Sequence, residues 1–487
     1  MTFIEKIIKE KGPILSSELL EALYNKEKGI SQEAARKRLS RVGNDIAKVK
    51  GLFADGQILF YDKAIFNKEE YFNGLSRAFK KAGKQYHIIL QSLDFQFGQI
   101  KTNELASYSI NPVSNLKGHL TFHSALQKLQ NFNLVLVDED YVSISSAVSE
   151  KKFNSKQAKG IDVAKNFLLI QFNDWARKIG FSSYNTSTFH SEFGKYQFNY
   201  VSPSYVGSLA KYNSNKKIVP GFVIADILIG NTVTENEVAF FVDKVKTLKF
   251  RRNVANFLPF LIVESMEPKA LNLLKSEGVI IGFVNELFGS KYKDLLNSLI
   301  GLVTNAGAIL KKNPDAYLDL ITKLNKLVDG KTNNLRGDLF ELAVGYYQGQ
   351  ICNSIDIGKK INQDGKQREI DVFGLQANTV IVSECKGYNY KVDKDEIEHW
   401  LSQNIPVIRK WILDQPSISE RKIKFEFWST GGFTDEAKAL LQSRKATISK
   451  TKYEIFYYDL DDMITMSKDI NSKKFTQILR EYYKKDL

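Results

Sequence analysis

The sequence is poor in cysteine and histidine. Its 487 residues include two cysteines, Cys352 and Cys385, which exclude a disulfide framework and a zinc site built from several cysteines. The five histidines are scattered and form no HExxH motif, which disfavours a histidine-based zinc hydrolase. No GxxxxGK[ST] loop occurs either, so ATP-driven translocation along a polymer would need an accessory subunit.

Long apolar runs are also missing. No run approaches the roughly 18 apolar residues of a membrane span, and Glu5 and Lys6 interrupt the apolar pattern at the N-terminus, unlike a signal peptide. We therefore expect a cytoplasmic protein in a reducing compartment, with no membrane partner.

Negative charge is scarcer than positive charge. Lys and Arg total 69 against 55 for Asp and Glu, which gives a net charge of +14 and a pI near 9.2. A surplus of this size is typical of proteins with a polyanion partner, although lysine-rich composition also arises from genomic bias. The 43% hydrophobic content is ordinary for a folded chain, and at about 150 residues per domain the length predicts two to four domains.

Residues 1–68 carry a pattern of three helices and a hairpin. Apolar spacing predicts a helix over 2–11, a second after a Gly-Pro break, and a third that opens at Ser31. Two β-rich runs, 46–53 and 57–61, then flank an Asp-Gly turn, a strong hairpin signal. This order resembles a winged helix-turn-helix, whose third helix would enter the major groove of double-stranded DNA.

The exposed side of that third helix is rich in basic and polar side chains. A solvated basic face on a structural helix is the alternative to DNA contact. The predicted DNA-binding residues are Ser31, Gln32, Arg36, Lys37, Arg38 and Arg41.

Residues 69–150 repeat this layout more weakly. Helices are expected at 100–109 and 119–130, and strands at 134–137 and 141–144. We interpret them as a second winged-helix-like module whose less basic third helix positions the first module or packs against a neighbour. Residues 145–160 are expected to form a polar linker.

Three elements near the C-terminus carry charged residues of a recurring kind. The pattern predicts a helix over 336–347 that contains Glu341, then a strand over 368–375 that contains Asp371. A further strand over 379–386 ends in Glu-x-Lys. Because this strand contains a Val-Ile-Val run, it is expected to be central and buried. Burial of charged side chains is energetically costly, so their presence in such a strand indicates a specific role.

The chemistry of these residues fits phosphodiester hydrolysis. Glu384 and Lys386 project to one side of their strand, beside Asp371 if the two strands pair. Asp371 and Glu384 can hold Mg²⁺, with Mn²⁺ as a substitute, and Glu341 can hold the metal or position a metal-bound water. Lys386 can orient or help to deprotonate that water, or stabilise the charge on the phosphorane. Taken one at a time, each of these residues could instead be an ordinary surface charge, either solvated or in an ion pair, with no catalytic role.

Together these motifs resemble the PD-(D/E)xK nuclease superfamily, in particular Mrr-like and related restriction endonucleases, over roughly residues 330–470. The resemblance implies an αβββαβ core with Asp371, Glu384 and Lys386 as the catalytic set and Glu341 as the helical acid. Gln403 matches a glutamine of several such families. The position before Asp371 holds Ile370 rather than the proline of the family motif.

The implied activity is that of a Mg²⁺-dependent, type II restriction-like deoxyribonuclease that leaves a 5′-phosphate, in a restriction or anti-phage defence setting. Cutting both strands at once would need a homodimer. Two other functions stay open at this point: a non-catalytic DNA-binding regulator with a nuclease-like fold, and a structure-specific or RNA-directed nuclease.

The central residues 151–290 predict an α/β domain. One interpretation is a degenerate nuclease-like copy, with an Asp-bearing strand around Asp226 and a strand at 237–245 in place of Glu-x-Lys; an unrelated α/β domain is the alternative. Helices over 291–330 are expected to lead into the nuclease-like domain at 331–487. The expected fold class is therefore multidomain α+β and α/β, with tandem winged-helix-like modules, this central domain and a restriction-endonuclease-like core.

Overall fold

The computed structural model describes residues 2–66, 68–138, 141–145, 154–328 and 333–484. The chain is mixed α/β and divides into two compact units. Unit 1 comprises residues 1–153 and 176–282, and unit 2 comprises residues 154–175 and 283–487. Within the described ranges, no helix combines the length and the apolar character needed to cross a membrane.

Unit 1 begins with three helices and a three-stranded sheet. Their bounds are α1 (Phe3–Lys11), β1 (Ile14–Leu15), α2 (Ser16–Lys26), α3 (Gln32–Ser40), β2 (Ile46–Val49) and β3 (Leu59–Asp62). β3 lies between β1 and β2 and pairs antiparallel with both. The two hairpin strands are shorter than predicted, because the connection between them includes a turn in which Asp55 and Gly56 have φ angles of 54° and 66°.

A second set of elements repeats this order after one additional helix, α4 (Glu69–Ala82). It consists of α4, α5 (Lys84–Phe95), β4 (Gln99–Lys101), α6 (Thr102–Leu105), α7 (Phe122–Asn131), β5 (Val135–Val137) and β6 (Tyr141–Ile144). Again the last strand, β6, lies between the other two. The helix predicted at 100–109 is shorter, since α6 is followed by a single 3₁₀ turn at Ala106–Tyr108. The middle of the predicted turn at 138–140 lies outside the described residues.

The central part of the chain forms a five-stranded sheet. Its elements are α8 (Ser155–Lys178), β7 (Thr188–Phe193), β8 (Tyr196–Ser204), β9 (Lys211–Tyr212), β10 (Ile218–Val219), β11 (Gly221–Leu228), α9 (Glu235–Lys249), β12 (Phe257–Val263), α10 (Pro268–Ser276) and β13 (Ile280–Phe283). The strand order is β13-β12-β11-β8-β7, while β9 and β10 pair separately. β11 is antiparallel to β8 and parallel to β12.

Two predictions of secondary structure in this region were wrong. Residues 155–160, predicted as linker, begin helix α8. Residues 237–245, predicted as a strand in place of Glu-x-Lys, lie in helix α9. The helix forms because Thr234 and Glu237 make a capping box and because the apolar residues recur at intervals of three and four. Its buried apolar residues are Val238, Phe240, Phe241, Val242, Val245 and Leu248.

Unit 2 contains a second five-stranded sheet surrounded by helices. Its elements after α8 are α11 (Val284–Phe288), α12 (Ser290–Lys312), α13 (Pro314–Val328), α14 (Asn333–Ile351), β14 (Ser354–Gln363), β15 (Lys366–Leu375), β16 (Thr379–Lys386), α15 (Lys394–His399), α16 (Ile405–Leu413), β17 (Lys422–Ser429), α17 (Asp435–Thr447), β18 (Glu454–Tyr458), α18 (Leu460–Asp469) and α19 (Lys473–Ile478). The strands are ordered β14-β15-β16-β17-β18. The pairs β14–β15 and β15–β16 are antiparallel, and the pairs β16–β17 and β17–β18 are parallel.

The two faces of this sheet contact different helices. Val382 belongs to a hydrophobic core with Trp400 and Ile405, from the helical segment after β16. The next residue, Ser383, points the other way and lies 3.5 Å from the Gln348 side chain of α14. β16 is therefore covered on both faces, as its apolar sequence predicts.

A glycine sets the distance between α14 and the end of β16. A Cβ atom on Gly387 would lie 2.7 Å from the carbonyl oxygen of Arg336, so a larger residue would push the helix away. The Arg336 Nε also donates a hydrogen bond of 3.0 Å to the Gly387 carbonyl. This close contact holds the helix that carries Glu341 beside the strand that carries Glu384 and Lys386.

Candidate active site

Three of the sequence-predicted site residues meet where β15 and β16 separate. Val372 pairs with Ser383, and the same register continued by one residue sets Asp371 opposite Glu384. Asp371 Oδ2 accepts a hydrogen bond of 2.7 Å from the backbone N–H of Cys385. Lys386 Nζ lies 3.0 Å from Glu384 Oε1. All three charged side chains are only partly buried, so solvent reaches this end of the sheet.

Glu341 of α14 joins this group together with a carboxylate that the sequence analysis missed. One oxygen from each of Glu341, Glu369 and Asp371 lies within 4.8 Å of the others. Glu369 precedes Asp371 by two positions on β15, so the two side chains lie on the same face of the strand. This alternation would have predicted Glu369 as a neighbour of Asp371. Several carboxylate oxygens in this range suit a hard divalent cation such as Mg²⁺ or Mn²⁺.

An ammonium group from a distant helix reaches into the carboxylate cluster. Lys159 Nζ lies 2.5 Å from Glu341 Oε2 and also forms an ion pair with Glu369, and its side chain is 7% exposed. The room for it comes from Gly358 on β14, where a Cβ atom would lie 2.2 Å from Lys159 Cδ. Lys159 and Glu341 are separated by 182 residues, so no local pattern in the sequence indicates this contact.

The helical segment after β16 contributes one further acid. Glu396 of α15 lies 3.5 Å from Lys386 Nζ and was not predicted as part of the site. Gln403, which was predicted, lies in a π-helical turn between α15 and α16 and is exposed. Its side chain donates no hydrogen bond to, and accepts none from, any residue in the described ranges. The structure thus brings Asp371, Glu384, Lys386 and Glu341 together, but it gives Gln403 no contact with them.

Burial and mutual repulsion raise the proton affinity of two of the acids. Burial, followed by the charges of Glu341 and Glu384, raises the pKa of Asp371 well above its usual range, although Lys159 and Lys386 oppose this shift. Burial also raises the pKa of Glu341 to about 7, with Lys159 acting in the opposite direction. Negative charge is therefore held in the cluster at an energetic cost, which a bound divalent cation would relieve.

Two other members of the cluster keep their charge. Burial alone would raise the pKa of Glu369, but Lys159 and Lys360 hold it below its usual range. Burial alone would lower the pKa of Lys386, but the carboxylates of Glu384 and Asp371 raise it well above its usual value. Lys386 is therefore an ammonium in this arrangement.

Cys385 lies between Glu384 and Lys386, and its environment disfavours the thiolate form that a nucleophile needs. It is buried, and burial raises the pKa of its thiol well above the usual value, with the nearby acids adding to the shift. A reactive cysteine needs the opposite shift.

The sequence-predicted DNA contacts all lie on an exposed helix, α3, or at its ends. Lys37 pairs with Glu33 at 2.8 Å, and Arg38 pairs with Glu27 at 2.6 Å, so these two are partly neutralised. Arg36 forms no ion pair with any residue in the described part of the chain. The exposed set is Ser31, Gln32, Arg36, Lys37, Arg38 and Arg41.

The central sheet of unit 1 has the same strand order as the sheet of unit 2, and corresponding positions can be compared. Ala225 of β11 pairs with Tyr200 of β8, and the same register continued by one residue sets Asp226 opposite Asn199. The backbone N–H of Asn199 donates a hydrogen bond of 2.8 Å to Asp226 Oδ1. Leu228 follows Asp226 by two positions. Asn199, Asp226 and Leu228 thus stand where unit 2 has Asp371, Glu384 and Lys386. Asp226 therefore lies on the counterpart of the Glu-x-Lys strand, and its prediction on the counterpart of the Asp-bearing strand was wrong.

The missing ammonium is supplied from the next helix. Lys244 of α9 lies 2.8 Å from Asp226 Oδ2, and neither side chain is exposed at all. Lys244 lies ten residues after its helix cap, Thr234, and Gln403 lies ten residues after the cap Asp393. By this count, Lys244 and Gln403 occupy corresponding helical positions in the two units. Burial raises the pKa of Asp226 and lowers that of Lys244, so both shifts reflect the loss of water.

The second set of elements in unit 1 closes this position to solvent. Lys244 Nζ donates to the carbonyl oxygens of Ser107 and Gln197 at 2.6 and 2.9 Å. The Tyr108 hydroxyl contacts Asn199 Oδ1 at 2.9 Å and Glu104 Oε1 at 2.8 Å. The protein itself thus supplies the partners of Asp226 and Lys244, whereas the side-chain amide nitrogen of Asn199 is buried without a hydrogen-bond partner in the described part of the chain.

Comparisons of the chain with known protein families, with curated proteins and with solved structures find no match. A function for the cluster in unit 2 is therefore inferred from its own residues and geometry.

Proposed function

We propose that the protein is a Mg²⁺-dependent DNA endonuclease of the PD-(D/E)xK kind, which hydrolyses phosphodiester bonds in double-stranded DNA. The observation that carries the proposal is the meeting of Asp371, Glu384 and Lys386 at the open end of one strand pair, with Glu341 beside them. The order of α14, three antiparallel strands, a helical segment and the parallel strand β17 supports the same assignment.

The donor set fits a divalent metal ion. Glu341, Glu369 and Asp371 would hold it, since one carboxylate oxygen of each lies within 4.8 Å of the others. Glu384, which the sequence predicted as a ligand, is not part of this group of three and contacts Lys386 instead. Such an ion supplies a water of lowered pKa and neutralises charge on the scissile phosphate. The raised pKa values of Asp371 and Glu341 agree with this fit, because burial first and the neighbouring carboxylates second disfavour the charged forms, which a cation would stabilise.

The protein's own residues would orient the reactants. The charged Lys386, held by Glu384 and Glu396, is placed to donate a hydrogen bond to the attacking water or to a phosphate oxygen. Because its ammonium form is stabilised, we assign it to orienting water and to stabilising the charge of the phosphorane rather than to proton abstraction. The hydrogen bond from the Cys385 backbone fixes the carboxylate of Asp371.

Recognition of DNA is assigned to unit 1. In each of its first two sets of elements, a short strand, two helices and two further strands form a sheet with the last strand in the middle, the arrangement of a winged helix. The basic side of α3 would contact the major groove. A homodimer would allow both strands to be cut, and a restriction or anti-phage role follows from the resemblance alone.

A second candidate function is a DNA-binding regulator without catalysis. It is favoured by Lys159, whose ammonium already neutralises part of the carboxylate cluster. A regulator would bind DNA without cutting it.

The deciding experiment is cleavage by the purified full-length protein. Plasmid DNA, single-stranded DNA and RNA are offered side by side, with Mg²⁺ or with EDTA, and modified phage DNA is included. We expect metal-dependent cutting of duplex DNA that falls by a factor of at least about 10³ in Lys386→Ala. Lys450→Ala, which removes an exposed lysine of the same unit, is the matched control and should cut normally. DNA binding by wild type and Lys386→Ala without cutting of any substrate would contradict the nuclease and support the regulator.

A further inference from the structure

The central sheet of unit 1 carries an insertion that the sheet of unit 2 lacks. In unit 2 the strands β15 and β16 are joined by residues 376–378. In unit 1 the corresponding strands, β8 and β11, are joined by residues 205–220, which contain the hairpin formed by β9 and β10. The hairpin is thus an addition at the same point of the same strand order.

This hairpin has a defined conformation of its own. Ile218 pairs with Tyr212, and Val219 pairs with Lys211. At the tip, Asn213 Oδ1 accepts hydrogen bonds from the backbone N–H groups of residues 215 and 217, at 3.0 and 2.9 Å. All residues from 211 to 219 are exposed, so the turn chemistry rather than burial holds the hairpin together.

Its composition is unusual for an exposed loop. The segment 205–220 contains three lysines, at positions 211, 216 and 217, and no acidic residue. Four large apolar or aromatic side chains are also exposed: Tyr205 by 59%, Tyr212 by 73%, Ile218 by 52% and Val219 by 44%. Clustered exposed apolar groups mark an interaction surface, and their combination with unopposed positive charge fits a nucleic acid.

We propose that the β9–β10 hairpin is a DNA-contacting element that inserts into a groove of duplex DNA, separate from α3. A two-stranded ribbon is narrow enough for the major groove. The lysines would contact phosphates, and the cross-strand pair of Tyr212 and Ile218 would pack against sugars and base edges. The proposal rests on the proposed function for its partner, duplex DNA, but not on the catalytic cluster.

The test compares two double variants of the full-length protein in EDTA, where cleavage is absent. Lys211→Gln/Lys217→Gln removes two charges from the hairpin. Lys269→Gln/Lys275→Gln removes two exposed charges from α10 of the same unit and is the matched control. Binding to a fluorescent duplex is measured by anisotropy between about 0.05 and 0.3 M salt, a range over which each phosphate contact adds a measurable salt dependence.

We expect the hairpin variant to bind on the order of tenfold more weakly, and its slope of log K against log salt to fall by about 1.8, since each lost phosphate contact removes about 0.9. The control should keep the wild-type slope. Equal slopes for the hairpin variant and the wild type would overturn the hairpin proposal while leaving the nuclease untouched. A wild type that cuts DNA is required for the proposed function, and that result is read from the separate cleavage assay.

A second variant tests the contribution of the exposed apolar side chains of the hairpin. Tyr212→Ala should weaken duplex binding severalfold with an unchanged salt slope, because it removes contact area and no charge, whereas Tyr212→Phe should bind normally. Preferential binding of the wild-type hairpin to anionic lipid vesicles, with no effect of these variants on DNA binding, would instead identify a membrane surface as its partner and overturn the proposal.

Discussion

The two five-stranded sheets of this protein share one strand order but differ in the number and burial of the charged side chains at one corresponding position. In unit 2, Asp371 and Glu384 lie at a partly exposed edge among further carboxylates and lysines. In unit 1, the corresponding position holds a single ion pair, Asp226 with Lys244, and both side chains are fully buried. The same backbone arrangement thus supports an open, charge-rich cluster in one unit and a closed, neutral pair in the other.

The comparison teaches which features distinguish a site from a structural ion pair. The unit 2 cluster keeps surplus negative charge, and this surplus contributes to the raised pKa values of Asp371 and Glu341. In unit 1, Lys244 offsets the charge of Asp226, and the remaining hydrogen bonds of the pair come from the backbone of Ser107, Gln197 and Asn199 rather than from solvent. A buried pair of this kind stabilises a fold only while both partners are present.

The largest expected difference between the two units concerns stability. Lys244→Met leaves Asp226 buried without its partner and should destabilise unit 1 by about 3–5 kcal/mol. Lys386→Met removes an ammonium that is 23% exposed, and solvent still reaches the carboxylates beside it, so it should destabilise unit 2 less than Lys244→Met destabilises unit 1. Hydrogen exchange of peptides from β11 and β16 measures the local stability of each unit separately.

A matched control removes both partners in unit 1. Asp226→Asn/Lys244→Met should recover part of the lost stability, because it leaves no uncompensated charge. If Lys244→Met and Lys386→Met had equal effects on exchange, the contrast between a structural pair and an open site would not hold.

A smaller difference is expected in the response to pH. Glu426 of β17 is buried, and its carboxylate accepts hydrogen bonds from Gln348, Ser383 and Trp428. Burial raises its pKa from 4.5 to about 7. The corresponding position in unit 1 is Phe260, since Ser383 pairs with Glu426 as Ala225 pairs with Phe260.

The sign follows from the raised pKa. Between about pH 4.5 and 7 the unfolded chain loses the Glu426 proton while the folded chain keeps it. The stability associated with this group is therefore complete below pH 4.5 and lost as the pH rises through 7, by about 3 kcal/mol. Denaturant melts of the wild type and of Glu426→Gln at pH 4.5 and 7.5 measure it. The variant should lose less stability than the wild type across this interval, and parallel curves for the two proteins would refute the assignment to Glu426.

The parts of the site that were predictable from the sequence lie close together in the chain. Asp371, Glu384 and Lys386 fall within two adjacent strands, and alternation alone puts their side chains near one another. The same rule could have found Glu369. Lys159 and Lys244 were not predictable as members of their clusters, because a long side chain on a helix reaches a strand that is distant in sequence and no local pattern specifies the contact.

The fold shows the same limit. The two strands predicted at 368–375 and 379–386 begin and end within two residues of β15 and β16, since apolar runs bounded by turn residues define them. The error at 237–245 arose because its Val and Phe residues favour a strand, whereas the capping box at Thr234 and the spacing of the apolar residues favour a helix. The order of the strands in each sheet depends on long-range pairing, which periodicity does not encode.

The finest contrast is between the two buried ammonium groups, Lys244 and Lys159. Each faces carboxylates, but Lys159 faces two of them in a cluster with further acids, so its removal leaves an oxygen-rich cavity rather than one stranded charge. Lys159→Met should therefore increase the affinity of unit 2 for a divalent ion about tenfold, equivalent to about 1.4 kcal/mol, because a competing positive charge is lost. Calorimetric titration of the DNA-free protein with Mn²⁺ measures this affinity directly.

Lys156→Met, on the same helix but paired with Asp356 outside the cluster, is the control and should leave the affinity unchanged. If Lys159→Met bound Mn²⁺ more weakly than the wild type, Lys159 would be a structural partner like Lys244, and the two units would resemble each other more closely than their exposure indicates.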